Sequence, residues 1–478
     1  MSGLFASLNN SVKGLNAQQA GLETSGRNLA NVNNSSYARQ RVIYGDRGTV
    51  KTTTGPQSLG IEALGVESMR DNLLDKQLCR ERGITAQLST AQSALQKAQA
   101  SLGQSISSSS DTSSSTSSTS GIAECLSNFF TSFASLSANP SDTGERQTLL
   151  QNADILVDRI NLTDSRLAQN QTDLSTQVIS DVSEVNTLLA SIADLNREIS
   201  QAEINTAGNA ADLRDSRQAK LEELGKKINF ESRAQPGEAG QVQVYTTDSS
   251  GNEVLLVSNA LSATLTTDAG ATSITATNVP GGGANATLSI TRGSMSGAMD
   301  VRDNAIKTLR TQIDNLTRQL VTSVNDVYSG GTTGLNFFDP SGTSPSSISR
   351  NTAVTTANLE PDQTSGGATG DSTIPRGVAA LASTIFSSSG GAAIDGTLSQ
   401  YYNNSVSDLG QELSGINTRL SDQETIEKLV STQRDAVSGV SMDEELTDMM
   451  KYQRAFQASS RVISMINEML DTIINKMG

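Results

Sequence analysis

The chain has 478 residues, with 35 Lys and Arg against 50 Asp and Glu, a formal charge of −15, and no His or Trp. An acidic balance with no basic face argues against nucleic acid and anionic lipid as partners, and the lack of His removes His-dependent triads and most catalytic zinc sites. With 35% apolar residues, 9 Phe and 7 Tyr, thin helical layers and small sheets fit better than one large core.

Residues 3–30 read as a helix. Leu8, Leu15, Leu22 and Leu29 recur every seven residues, which keeps one face in register along a supercoiled helix. The seam is narrow and flanked by Asn, Gln, Ser and Ala, so it predicts a partner; alone, such a helix is marginal in water. Asn31, Asn33 and Asn34 end it, because Asn tolerates left-handed backbone. From Tyr37 to Gly65 the chain is Thr- and Gly-punctuated, the pattern of extended chain or a hairpin. Helix returns from Arg70 to Leu102. Residues 105–121, "SISSSSDTSSSTSSTSG", are a low-complexity connector with little to bury.

A helix resumes at Ile122 and stops at Pro140. Residues 144–206 carry a long pattern with Val178, Val185, Ile192 and Ile199 seven apart, interrupted on the companion seam by Asp181. Another helix covers 211–228. Between Phe230 and Ile290 the period changes to two, with short strands such as "QVQVYTT" and "NEVLLVS", the pattern of a small all-β domain. Helix returns over 299–327. Residues 329–400 are rich in Gly, Ser and Thr and admit loop, weak β pattern or a separately folded insert. A helix occupies 402–435.

The last helix spans Asp443 to Lys476. Met442, Met449, Phe456, Ile463 and Leu470 recur every seven residues, with Leu446 and Ile474 at a companion position otherwise filled by Gln453, Ser460 and Asn467. Ser441 and Glu444 have the spacing of a capping box. Asp443, Glu444 and Glu445 are read as capping and solvent-facing charge, not as a metal site. Cys79 and Cys125 form no CxxC pair; two buried thiols are expected, with a bridge as the alternative. No cofactor or metal is expected.

The fold class is therefore multidomain α+β: terminal helices forming a coiled-coil core, a helical-bundle middle and one or more inserted small β domains. The expected division is 1–66 core helix and extended region, 67–229 helical domain, 230–298 β domain, 299–328 returning helix, 329–400 insert, 401–440 returning helix, and 441–478 core helix. A chain that opens and closes with under-filled heptad helices fits a subunit of a tubular assembly.

The segment "SGRNLANVNNSSYARQ" resembles the N-terminal signature of bacterial flagellar axial proteins, the rod, hook and hook-associated family. Ser25, Asn28, Leu29, Ala30, Asn31, Tyr37 and Arg39 match it, while Asn34 and Ser36 replace the usual Thr and Gly. Near the other end, Glu444, Glu445, Tyr452, Gln453, Ala455, Ala458, Ser460, Arg461, Val462 and Ile463 fall on that family's C-terminal motif. The resemblance implies an extracellular structural subunit, not an enzyme, adapting hook to filament and exported through the flagellar type III channel without a cleavable signal. Hook-associated protein 3 or another axial subunit is the alternative, and a secreted coiled-coil adhesin the alternative from another class.

The implied partners are further copies of the chain, the hook protein, hook-associated protein 3 and an export chaperone, without nucleic acid or membrane insertion. Implied core-packing residues are Leu8, Leu15, Leu22, Leu29, Met442, Leu446, Met449, Phe456, Ile463 and Leu470. Asn28, Asn31, Tyr37, Arg39 and Gln40 are expected as signature-turn contacts between subunits, with the polar edge of a local hairpin as the plainer reading. Phe456, Ile463, Ile466, Leu470 and Ile473 are candidate chaperone contacts. The two terminal helices are expected to lie antiparallel in the assembly and to lack order in a solitary chain.

Overall fold

A computed structural model describes residues 2–34, 36–46, 48–52, 55–58, 60–103, 121–204, 210–238, 240–330, 334–359 and 372–477. The Ser-rich connector and part of the 329–400 region lie outside the described residues.

The body is built on α2 (Asn72–Ser101), α3 (Ile122–Ala138) and α4 (Thr143–Ala202), followed by α5 (Ala211–Lys227). Asp142 caps α4, accepting from the Gly144 N–H at 2.7 Å. The α4 seam is buried along Val178, Val185, Ile192 and Ile199. Asp181, which interrupts the apolar pattern, is buried in that seam and takes Lys227 Nζ at 2.8 Å and the Ser294 hydroxyl at 2.6 Å. The polar interruption is thus a tie from α4 to α5 and to the start of the helix that returns.

That helix begins earlier than the pattern indicates. It comprises α6 (Ser294–Asp300), one π-helical stretch (Val301–Ile306) and α7 (Lys307–Tyr328). The extra residue in a π turn frees backbone carbonyls. Gln171 Nε2 donates to the Arg302 carbonyl at 3.1 Å, and Arg302 Nη1 donates to the Gly270 carbonyl at 2.8 Å. The turn thereby joins α4, the returning helix and the β region. A heptad-style reading cannot see it, because one inserted residue shifts the phase without changing composition.

The β region holds β5 (Glu231–Ala234), β6 (Val242–Thr247), β7 (Glu253–Ser258) and β8 (Leu261–Ser262) in one antiparallel meander. A second sheet has the order β11 (Ala286–Thr287), β10 (Ile274–Thr277), β9 (Thr264–Thr267). Inward residues such as Val244, Leu256, Leu265, Ile274 and Ala276 are buried.

In the 329–400 region the described residues contain α8 (Thr373–Ala380), short 3-10 turns and isolated bridges. Several of them join the apolar core of the body. Phe337 and Phe338 enter the body and meet Phe129 and Phe133 edge-on or tilted, at centroid distances of 5.3–5.8 Å. α9 (Leu398–Ser438) opens with a capping box between Thr397 and Gln400 and runs antiparallel to α2. The contiguous apolar core runs from Ala91 to Ile416.

Neither Cys79 nor Cys125 is in a disulfide, and both are buried. Burial, with the Glu222 and Asp75 carboxylates nearby, pushes the Cys79 thiol up to about 12. It stays protonated at neutral pH, where a thiol is a poor nucleophile. Alkylation with iodoacetamide at about pH 8 should therefore label neither cysteine in the folded chain and both after denaturation; rapid native labelling of Cys79 would contradict its placement. Phe129→Ala should cost about 3–5 kcal/mol in urea unfolding, since the ring touches four other aromatic rings; a loss under about 1 kcal/mol would show that the cluster is not the centre of the body.

Candidate functional site

The two ends of the chain meet. α1 (Ser2–Ala30) and α10 (Met442–Met477) pack antiparallel, with Gly14 beside Ser459 and Gly21 against the Tyr452 ring. The contact line on α1 is made of small and polar residues: Ala17, Gly21, Thr24, Ser25 and Asn28 are buried. Small side chains let two helix backbones approach closely. A Cβ at Gly21 would come within 2.7 Å of the Tyr452 ring and 2.8 Å of the Tyr44 hydroxyl.

Leu8, Leu15, Leu22 and Leu29, expected as the seam, are half-buried beside this line. On α10 the inward positions are Glu445, Met449, Tyr452, Phe456, Ser459, Ile463, Ile466 and Leu470, with Glu445 and Ile466 deepest. The companion position lies three residues after each heptad residue, not four. Leu446 is exposed, as are Gln453, Ser460 and Asn467, and Met442 is exposed as well. Heptad spacing alone leaves this choice open, because i+3 and i+4 both fall near one helix face. The two ends pair within one chain, because the small-residue line supplies α10 with a complementary surface.

After α1 the chain reverses through the signature turn into a ribbon. β1 (Gln40–Asp46) pairs antiparallel with β4 (Ile61–Ser68), and β2 (Thr49–Thr52) pairs with β3 (Gly55–Ser58) at the tip. The turn closes on Asn28. Its Nδ2 donates to the Gln40 carbonyl at 2.9 Å, while its Oδ1 accepts from the Gln40 N–H at 3.0 Å and the Tyr37 hydroxyl at 2.9 Å. Asn31 turns back to the Arg27 carbonyl. Burial, with Asp215 and Asp212 nearby, pushes the Tyr37 hydroxyl well above its ordinary value, so it remains a donor.

Arg39 leaves the turn toward α10. Its Nε reaches Glu445 Oε1 at 2.7 Å and its Nη1 reaches Glu444 Oε2 at 2.7 Å, with Asp448 at 3.5 Å. Glu444 and Glu445 are thus engaged by Arg39, and Glu445 is buried, where sequence indicated capping and solvent exposure. The Arg39 N–H also donates to the Ser438 carbonyl at the end of α9, and its own carbonyl accepts from Met69 N–H, both at 2.8 Å.

Gln40 Nε2 donates to Asp212 on α5 at 2.8 Å. Arg70 holds Asp75 of α2, Asp215 of α5 and the Ser36 carbonyl, each at 2.7 Å. Burial raises the Asp215 carboxyl, and Arg70 opposes that shift. Further along, Glu222 of α5 takes Arg82 of α2 and, at 3.2 Å, Arg434 of α9. Tyr37, Arg39 and Gln40 thus all face other parts of their own chain. Arg70, Asp212, Asp215 and Ser438 were missed at sequence level, since nothing local marks them as partners of the turn. Arg454 and Arg461 are exposed on α10, and the Ile473 side chain lies outside the described residues.

Residues 107–338 match the family described as flagellar hook-associated protein FlgK helical domain, and residues 432–476 match the flagellar basal body rod FlgEFG protein C-terminal family. Flagellar hook-associated protein 1 of Bacillus subtilis is 24% identical over all of this chain and 99% of its own length. Over its whole length the chain is thus similar to flagellar hook-associated protein 1. The Salmonella typhimurium protein of the same name is 27% identical over 48% of this chain and 39% of its own. The solved hook junction protein FlgK from Burkholderia pseudomallei aligns at 21% identity and a TM-score of 0.45, over 54% of this chain and 44% of that one.

Both matched family models describe flagellar proteins. Among the described residues no helix is long and apolar enough to cross a membrane.

Asn28→Ala would leave the Gln40 backbone groups and the Tyr37 hydroxyl buried without partners, at about 1–3 kcal/mol per group. Hydrogen exchange in β1 and the first turn of α10 should accelerate strongly while α4 is unchanged; equal protection in parent and variant would show that the turn does not depend on Asn28. Arg70→Ala strands two buried carboxylates and should cost about 3–5 kcal/mol in chemical denaturation.

Proposed function

We propose that this subunit forms a short ring or partial helical turn at the hook-filament junction and adapts one lattice to the other. The reading rests on the terminal pair. Once α1 and α10 have docked, a second set of large apolar residues stays exposed on α10: Met442, Leu446, Met450, Val462, Met465 and Met469. Val12 is likewise exposed on α1, with the half-buried leucines beside it. Exposed apolar residues along an exposed helix mark a surface for association, and a pair that fills one side and leaves another open suits packing among like subunits.

In this reading the terminal unit, 1–66 with 441–478, polymerises, and the helical and β parts face outward. The neighbours are further copies, the hook protein on one side and hook-associated protein 3 on the other. Before export a dedicated chaperone covers the α10 apolar face, for which Phe456, Ile463, Ile466, Leu470 and Ile473 are the proposed contacts. Met and Ile side chains adapt readily to such a helix-binding groove.

Cells lacking the gene should carry hooks without filaments in negative-stain images, and normal filaments would refute the junction role. Phe456→Asp with Ile463→Asp should abolish filament assembly while body stability changes by less than about 1 kcal/mol. Filaments of normal number in that double variant would show that assembly does not depend on the pairing of α10 with α1.

A further inference from the structure

The apolar core of the body stops short of the terminal unit. Its members run from Ala91 to Ile416, and none comes from α1, the ribbon or α10. Between the two, a network of polar contacts lies beside a few buried apolar residues, Ala38 and Leu78 among them, that are not members of that core. The covalent crossings, Met69 to Asp71 and Ser438 to Ser441, run side by side: Asp71 N–H donates to the Ser438 hydroxyl, Arg39 N–H to the Ser438 carbonyl, and Met69 N–H to the Arg39 carbonyl. Two adjacent crossings without a shared apolar core are the layout of a hinge.

Across that hinge the first turns of α5 hold the signature turn. Asp212 accepts from Gln40, and Asp215 takes Arg70, which also holds the Ser36 carbonyl. Several buried polar atoms are gathered at this place without a hydrogen-bonding partner among the described residues: Gln40 Oε1, Ser68 Oγ, Arg70 Nε and Asp75 Oδ1. Buried polar groups are ordinarily satisfied, so the boundary is incompletely bonded. By contrast, the contacts inside the terminal unit are close-packed (the Gly21–Tyr452 approach) or keyed to Asn28 and Arg39.

We propose that the boundary is a latched hinge: Asp212 and Asp215 of α5 lock the signature turn to the body, and release of that latch lets the terminal unit pivot as one piece while α1, the ribbon and α10 stay docked. This deepens the adaptor reading and rests on it for its purpose, since one chain that presents its terminal pair at more than one angle can sit between two lattices. The pivot itself is a property of the solitary chain. Breaking the latch costs polar contacts at one place and exposes no shared apolar core, which is why it can open without unfolding either unit.

The test uses the full chain with spin labels on introduced cysteines, the native thiols being buried. One pair, Glu23→Cys with Glu468→Cys, lies within the terminal unit; the other, Glu198→Cys with Glu468→Cys, spans the hinge. In the parent both distance distributions should be narrow. In Asp212→Ala with Asp215→Asn the spanning distribution should broaden about twofold or split, while the internal pair keeps its width. Asp212→Ala alone, at an exposed residue, should give an intermediate broadening and guards against a double variant that fails to fold. A spanning distribution unchanged in both variants, or broadening of both pairs together, overturns the proposal. So does an internal pair already broad in the parent. Because no hook or filament is involved, the result is independent of whether the junction role holds.

Discussion

Three hydrogen bonds converge on the carboxamide of Asn28, and the course of the chain at its N-terminal end depends on them. A buried carboxamide offers donors and an acceptor in one plane, so it can hold both backbone groups of Gln40 and the Tyr37 hydroxyl at once. That fixes where β1 leaves α1. It then decides where Arg39 points, and Arg39 in turn holds the first turn of α10 and the last residues of α9. No apolar side chain could do this, because the groups to be satisfied are backbone polar groups that burial would otherwise leave unpaired.

From the far end of the body to the tips of the terminal helices, the means of cohesion changes in steps. The body is held by apolar packing, with the Phe129 cluster and the α4 seam as its densest parts. The neck, where α2, α5 and α9 run together, is held by buried charge pairs centred on Glu222 and Arg70. Buried ion pairs add little net stability compared with apolar packing but are intolerant of losing one partner. They therefore fix orientation more than they supply cohesion. The terminal pair is held by close backbone approach along small residues, which leaves its larger apolar groups for other contacts. In the proposed reading, neighbouring copies complete these ends.

The family matches rest on the helical domain and the C-terminal segment. The register of α1 on α10 and the α5 carboxylates that receive the signature turn come from geometry alone. Tyr37, Arg39 and Gln40 illustrate the difference. Their residue types mark them as unusual in a turn, but only the folded chain shows that they face inward to their own helices.

Periodicity determined the long helices, because a seam repeated over several turns leaves few alternatives: α4, α9 and α10 lie within a few residues of where their patterns place them. The change to period two determined the β region, and the Asn cluster determined the end of α1. Tertiary structure decided the rest. Which flank of α1 faces α10 depends on how closely two backbones approach, and that favours Gly21 and Ala17 over the leucines that dominate any hydrophobicity count. The π turn at 301–306, the burial of Asp181 and Glu445, and the docking of Phe337 and Phe338 all depend on partners more than 20 residues away in the chain, and no local pattern carries that information.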